Sequence, residues 1–145
     1  MSVADNLLQI PWRGIHHIAL VTADLDATVR FYKDVLGMAV GPIVPSEAGR
    51  GRHCIIFVKP DDPNTWGFHF FERPTVETTL GASDEHPASL VPHVALRLPD
   101  EIAANTLRER LKNSHVAITE IPELGSFVFF DNNRLCLEVT WPSPK

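Results

Sequence analysis

Long apolar runs are missing from this 145-residue sequence. None approaches the ~18–20 residues needed to cross a bilayer, so no membrane-spanning helix is expected. Residues 1–13 lack the basic start and apolar stretch of an export signal. Cysteine is scarce: Cys54 and Cys136 are the only two, far apart and without metal or redox spacing. They read as reduced thiols of a cytoplasmic protein. Positive charge is also in deficit, with 13 Lys and Arg against 18 Asp and Glu and a net charge of −5. With no basic stripe to neutralise phosphates, nucleic acid is not an expected partner. Arg50 and Arg52 flank Gly51 as a tight basic pair.

What is present is ordinary globular composition, 44% hydrophobic and 21% charged. A single domain of this length buries ~70% of the surface its unfolded chain exposes. Twelve prolines and eight glycines predict short elements with many turns. Histidine stands out, with seven copies: His16, His17, His53, His69, His86, His93 and His115.

Comparison of the chain with itself reveals a repeat. His17-Ile18-Ala19-Leu20 reappears as His93-Val94-Ala95-Leu96, an offset of 76 residues. Asp24 and Asp100 match at the same offset, as do Ala27 and Ala103. Gly37 falls on Asn113, and both residue types readily end a helix in the left-handed conformation. Each repeat opens with a strand whose alternate residues face opposite ways. A helix then begins at Asp24 or Asp100, each a suitable N-cap. Its apolar stripe is Leu25, Val29, Tyr32 and Leu36 in the first half, and Ala103, Leu107 and Leu111 in the second. Tyr32 is therefore a core residue. Three strands follow each helix, at about 38–44, 53–58 and 66–71, then 115–120, 126–131 and 135–141. Asp131-Asn132-Asn133-Arg134 reads as a hairpin turn. The organisation is one domain: module one at 14–73, a polar linker at 74–91, and module two at 92–141.

The helix stripes cover the Ile18 and Leu20 side of the first strands, which leaves His17 and His93 on the other face. His69 alternates with Phe68 and Phe70, and Glu138 with Leu137 and Val139. Each half thus offers two polar side chains on its uncovered face. If the halves pair by pseudo-twofold symmetry, His17, His69, His93 and Glu138 converge. Three imidazoles and a carboxylate suit Fe, Zn, Ni, Co or Mn better than Ca or Mg. His16 falls on the opposite side of the strand from His17 and reads as structural. His86 and His115 read as solvated. Arg50 and Arg52 are candidates to hold a substrate carboxylate or phosphate.

The stretches G-I-H-H-I-A-L, D-L-D-A-T-V-R-F-Y-K-D-V-L-G-M, P-H-V-A-L and F-V-F-F-D-N-N-R-L-C-L-E-V resemble the vicinal oxygen chelate superfamily over about residues 14–141. That superfamily includes glyoxalase I, bleomycin-resistance proteins and extradiol dioxygenases. The resemblance implies an α+β fold: two tandem βαβββ modules forming a cupped mixed sheet around a metal-binding cavity. It places the metal ligands at His17, His69, His93 and Glu138. His69 departs from the carboxylate common in glyoxalase I and the glutamine of the epimerases. The implied activity is lyase or isomerase chemistry on a small oxygen-chelating substrate through a metal-stabilised enediolate, with Glu138 as ligand and base. The alternatives are an Fe(II) extradiol-type dioxygenase, for which His53 could act as a base, and a non-catalytic small-molecule binding or resistance protein. The expected partners are a small-molecule substrate and a second copy of the chain. Whether the four ligands meet within one chain or across that dimer stays open at this point.

Overall fold

A computed structural model describes residues 9–46, 51–73 and 91–143. The first half opens with β1 (His17–Thr22). Asp24 follows in an extended conformation and accepts a hydrogen bond from the Ala27 N–H, capping α1 (Leu25–Arg30). The helix widens into one π turn over Phe31–Val35 and closes at Gly37, φ +70°. A Cβ at Gly37 would also lie 2.7 Å from a guanidinium nitrogen of Arg110, a side-chain end that can shift, so it is the positive φ that favours glycine there. β2 (Ala39–Val40) and β3 (Val44–Pro45) both pair with β4 (Arg52–Phe57). They are two pieces of one predicted strand, interrupted at Gly41-Pro42, where proline brings no N–H to the ladder. β5 (Gly67–Glu72) inserts between β1 and β4, parallel to the first and antiparallel to the second.

The second half repeats the plan. β6 (His93–Arg97) leads to α2 (Glu101–Asn113), capped by the Asp100 side chain on the Ala103 N–H. The left-handed residue after this helix is His115, φ 59°, two positions later than the Asn113 suggested by the repeat. β7 (Thr119–Ile121), β8 (Ser126–Phe130) and β9 (Cys136–Thr140) complete a sheet in the order β6-β9-β8-β7. The first sheet runs β1-β5-β4-β2, with β3 beside β4.

One apolar core joins the halves, with Leu20, Tyr32, Phe68 and Phe70 on one side and Leu111, Phe127, Phe129 and Leu137 on the other. Arg110 Nη2 donates to the Asp34 carbonyl at 2.7 Å. These residues are equivalent at the repeat offset, so the pseudo-twofold axis passes beside them. The predicted hairpin turn forms: Asp131 Oδ1 accepts from the N–H groups of Asn133 and Leu135. It also docks into module one, where the Tyr32 hydroxyl donates to Asp131 Oδ2 at 2.7 Å, and Asn132 and Asn133 reach Thr28.

The α+β class and the repeated strand order match the sequence reading. Among the described residues each half makes its own sheet, of five and of four strands. The halves meet through helices and the 131–134 turn, which leaves β1 and β6 as outer strands of separate sheets. No helix among the described residues is long and apolar enough to cross a membrane.

Candidate functional site

Strand register places the four candidate ligands as two matching pairs. In the first sheet Ala19 lies opposite His69, two residues after His17. In the second, Ala95 lies opposite Glu138, two residues after His93. Both pairs point away from the helices, because Leu20, Phe68 and Phe70, and likewise Leu137 and Val139, fill the core side. Parallel partners share a face, so a histidine at the start of the first strand and a donor in the last strand are brought together in each half.

In the second half this gives a direct contact, His93 Nε2 to Glu138 Oε1 at 3.1 Å. The Glu138 carboxylate is nearly buried, 9% exposed, and its Oε2 accepts from the Ser126 hydroxyl at 2.6 Å. In the first half the His17 and His69 rings lie 5.9 Å apart between centroids. His53 Nδ1 hydrogen-bonds His69 Nε2 at 2.7 Å, and its ring stacks on Phe71. Burial first, then the neighbouring His53 and His17 rings, holds the His69 pKa below the ordinary histidine value. Both effects favour the neutral form of its ring. Trp66 packs its ring against His16, His17 and His69, at 4.7, 5.0 and 5.8 Å between centroids.

Among the described residues no group of three or more His, Cys, Asp or Glu side chains is gathered as a metal cluster. The four candidate donors thus stand as two pairs, one on each sheet. His16 is not confined to the far side: its Nδ1 lies 2.8 Å from His17 Nδ1. It precedes β1 and so escapes strand alternation. Arg52 alternates with His53 and turns to the helix side, where Glu72 and Asp26 hold its guanidinium at 2.8 and 2.9 Å. It stands on the opposite side of β4 from His53. Arg50, His86 and residues 74–90 of the linker lie outside the described residues. The sequence reading passed over Trp66 and Ser126. Ser126 was within reach of it, since it alternates with Phe127 and so takes the face opposite the core.

These observations define a class: a doubled βαβββ protein with polar side chains on the helix-free face of each sheet, His17, His53 and His69 on the first and His93, Ser126 and Glu138 on the second. The chain belongs to the glyoxalase/bleomycin resistance protein/dioxygenase superfamily, whose family model matches residues 14–134. No curated protein sequence matches it. Its fold is similar to that of a glyoxalase/dioxygenase from Nostoc punctiforme, with TM-score 0.68, 20% identity, and 91% and 92% of the two chains covered. It is also similar to the fosfomycin resistance protein FosX from Listeria monocytogenes, with TM-score 0.63, 16% identity, and 91% and 95% covered. A third similar structure is TnmS3, an antibiotic binding protein from Streptomyces sp. CB03234, with TM-score 0.63, 16% identity, and 93% and 100% covered.

Proposed function

We propose that the protein is a metal-dependent enzyme acting on a small oxygen-chelating substrate by lyase or isomerase chemistry, with its complete site formed between two copies of the chain. The observation that carries this reading is the matched register of His17 with His69 and of His93 with Glu138. Three imidazoles and a carboxylate make a donor set for Fe, Zn, Ni, Co or Mn. Two donors ~2.1 Å from one ion at a tetrahedral angle stand ~3.4 Å apart. The 3.1 Å between His93 Nε2 and Glu138 Oε1 fits that bite without movement of the strands. A mutant of the Listeria FosX protein is known in complex with Mn(II) and 1S,2S-dihydroxypropylphosphonic acid, which supports a metal in this fold.

The two-copy arrangement rests on the outer strands. Among the described residues β1 and β6 are the end strands of their sheets, the position at which a further chain can add to a sheet. Just before β1 and β6 stand Ile15 and Val91, equivalent at the repeat offset and 74% and 79% exposed. Apolar side chains this exposed beside two polar half-sites suit a buried contact. A second copy that sets β6 beside β1 covers both. It also brings His93 and Glu138 of the partner subunit to His17 and His69.

When bound, the ion supplies Lewis acidity to two adjacent substrate oxygens, the condition that favours an enediolate. The chain's own residues do the rest. His17 and His93 contribute nitrogen donors, and Glu138 contributes the one carboxylate of the set. Held by Ser126 and His93, the Glu138 carboxylate is oriented before substrate arrives, as ligand and base. Both cysteines are unpaired and buried, which is in keeping with a reducing cytoplasmic setting.

A second reading, an Fe(II) dioxygenase, is favoured by His53, which faces the same side as His69 and bonds to it. Metal analysis of protein purified without chelator or affinity tag separates the two: zinc or nickel supports the first reading, iron the second. Protein that binds small molecules but retains no metal would instead be a binding or resistance protein. For the shared site, His17→Ala and Glu138→Gln proteins are each expected to lose metal, and mixing them to restore part of it. No recovery on mixing would place the whole site in one chain.

A further inference from the structure

We infer that Ser126 and His53 are a symmetry-related pair of positioning residues, each fixing the last-strand donor of its own half-site. This rests on the reading of His69 and Glu138 as metal ligands. Ile55 lies opposite His69, and His53 lies opposite Phe71. In the second sheet Val128 lies opposite Glu138, and Ser126 lies opposite Thr140. His53 and Ser126 therefore occupy the same diagonal position, one step along the preceding antiparallel strand, where a side chain reaches its neighbour on the same face. The correspondence cannot be read at the offset of 76, because the connections within the two halves differ in length.

The two contacts are alike. His53 Nδ1 meets His69 Nε2 at 2.7 Å, and Ser126 Oγ meets Glu138 Oε2 at 2.6 Å. Each engages one donor atom of its partner, so that the other, His69 Nδ1 or Glu138 Oε1, is the atom that would hold an ion. Glu138 Oε1 is the atom beside His93 Nε2. Ser126 is 1% exposed, so no bulk water replaces its hydroxyl when it is removed. A ligand whose second atom is held in this way binds metal more tightly, and loss of the outer partner typically costs 10–100-fold in affinity. His53 is itself clamped, its ring stacked on Phe71 at 5.6 Å between centroids.

The test is titration of the full-length protein with Co(II), following its visible absorption and affinity, in wild type, Ser126→Ala, Ser126→Thr, His53→Phe and Glu138→Gln. Urea unfolding of each variant without metal reports folding separately. Ser126→Ala and His53→Phe are expected to bind Co(II) about tenfold more weakly with a changed spectrum. Ser126→Thr, which keeps the hydroxyl, is expected to restore the wild-type spectrum. If either Ser126→Ala or His53→Phe binds within twofold of wild type with the same spectrum, the pairing is overturned while the metal site stands. If Glu138→Gln binds Co(II) like wild type, or wild type does not bind it, the metal reading fails and the inference fails with it.

Discussion

The contact between Tyr32 and Asp131 joins the two halves, and its removal should be measurable in both size and pH dependence. Tyr32 is fully buried and Asp131 is 5% exposed. Tyr32→Phe keeps the ring in the core and deletes only the hydroxyl that donates to Asp131 Oδ2 at 2.7 Å. A hydrogen bond to a charged group contributes ~1.5–3 kcal/mol. A loss of ~2 kcal/mol is therefore expected at pH 7, about 30-fold in the folding equilibrium. For a chain of this size that lowers Tm by ~6 °C. Burial raises the Asp131 pKa above its ordinary 3.8, opposed by hydrogen bonds from Tyr32 and from the Leu135 and Asn133 N–H groups. Deleting one opposing bond raises it further. A carboxyl raised in the folded state binds more protons folded than unfolded, so stability falls as pH climbs from 3.8 through the folded value. The variant must lose more over that window than wild type, and the gap between them must narrow as pH falls. Urea unfolding of both proteins across acid to neutral pH measures this, with Asp131→Asn closing a double-mutant cycle. A loss below ~0.5 kcal/mol, or a gap that does not change with pH, would refute the reasoning.

Asp100→Ala removes the side-chain cap of α2 and should cost ~1 kcal/mol in urea unfolding; an unchanged midpoint would show that the cap is replaced. The Arg52 hydrogen bonds hold the Glu72 pKa below its ordinary 4.5. Its contribution to stability is therefore complete above 4.5 and is lost as pH falls through the folded value. Glu72→Gln should flatten that part of the acid unfolding profile, and an unaltered profile would assign it elsewhere. In metal-loaded protein, His69→Glu adds a negative charge to the proposed site and should weaken binding of a small keto-acid analogue. Equal titration curves for wild type and variant would show that site charge does not set substrate choice.

Local pattern alone determined a good deal. The alternation around His17 and His93, the caps at Asp24 and Asp100, and the turn at Asp131 each depend on neighbours a few residues away. So did the choice of face: once the helix stripes claim Leu20 and Leu137, His69 and Glu138 must point the other way. The repeat supplied the pairing of the halves for the same reason, since two copies of one local pattern adopt one local structure. Only the tertiary structure decided what these pieces meet. Arg52 was legible as a basic residue in a loop-proximal strand, but its capture by Glu72 and Asp26 depends on where β5 and α1 fall in space. His16 lies just outside the strand, where alternation has no force, and its contact with His17 is a side-chain choice. Ser126 and His53 found their partners through strand register, which connections of unequal length conceal from the sequence. Closure was the least legible feature of all. Whether β1 and β6 pair within a chain or remain outer strands turns on how the helices and the 131–134 turn pack the halves, and that packing energy is spread over the whole core.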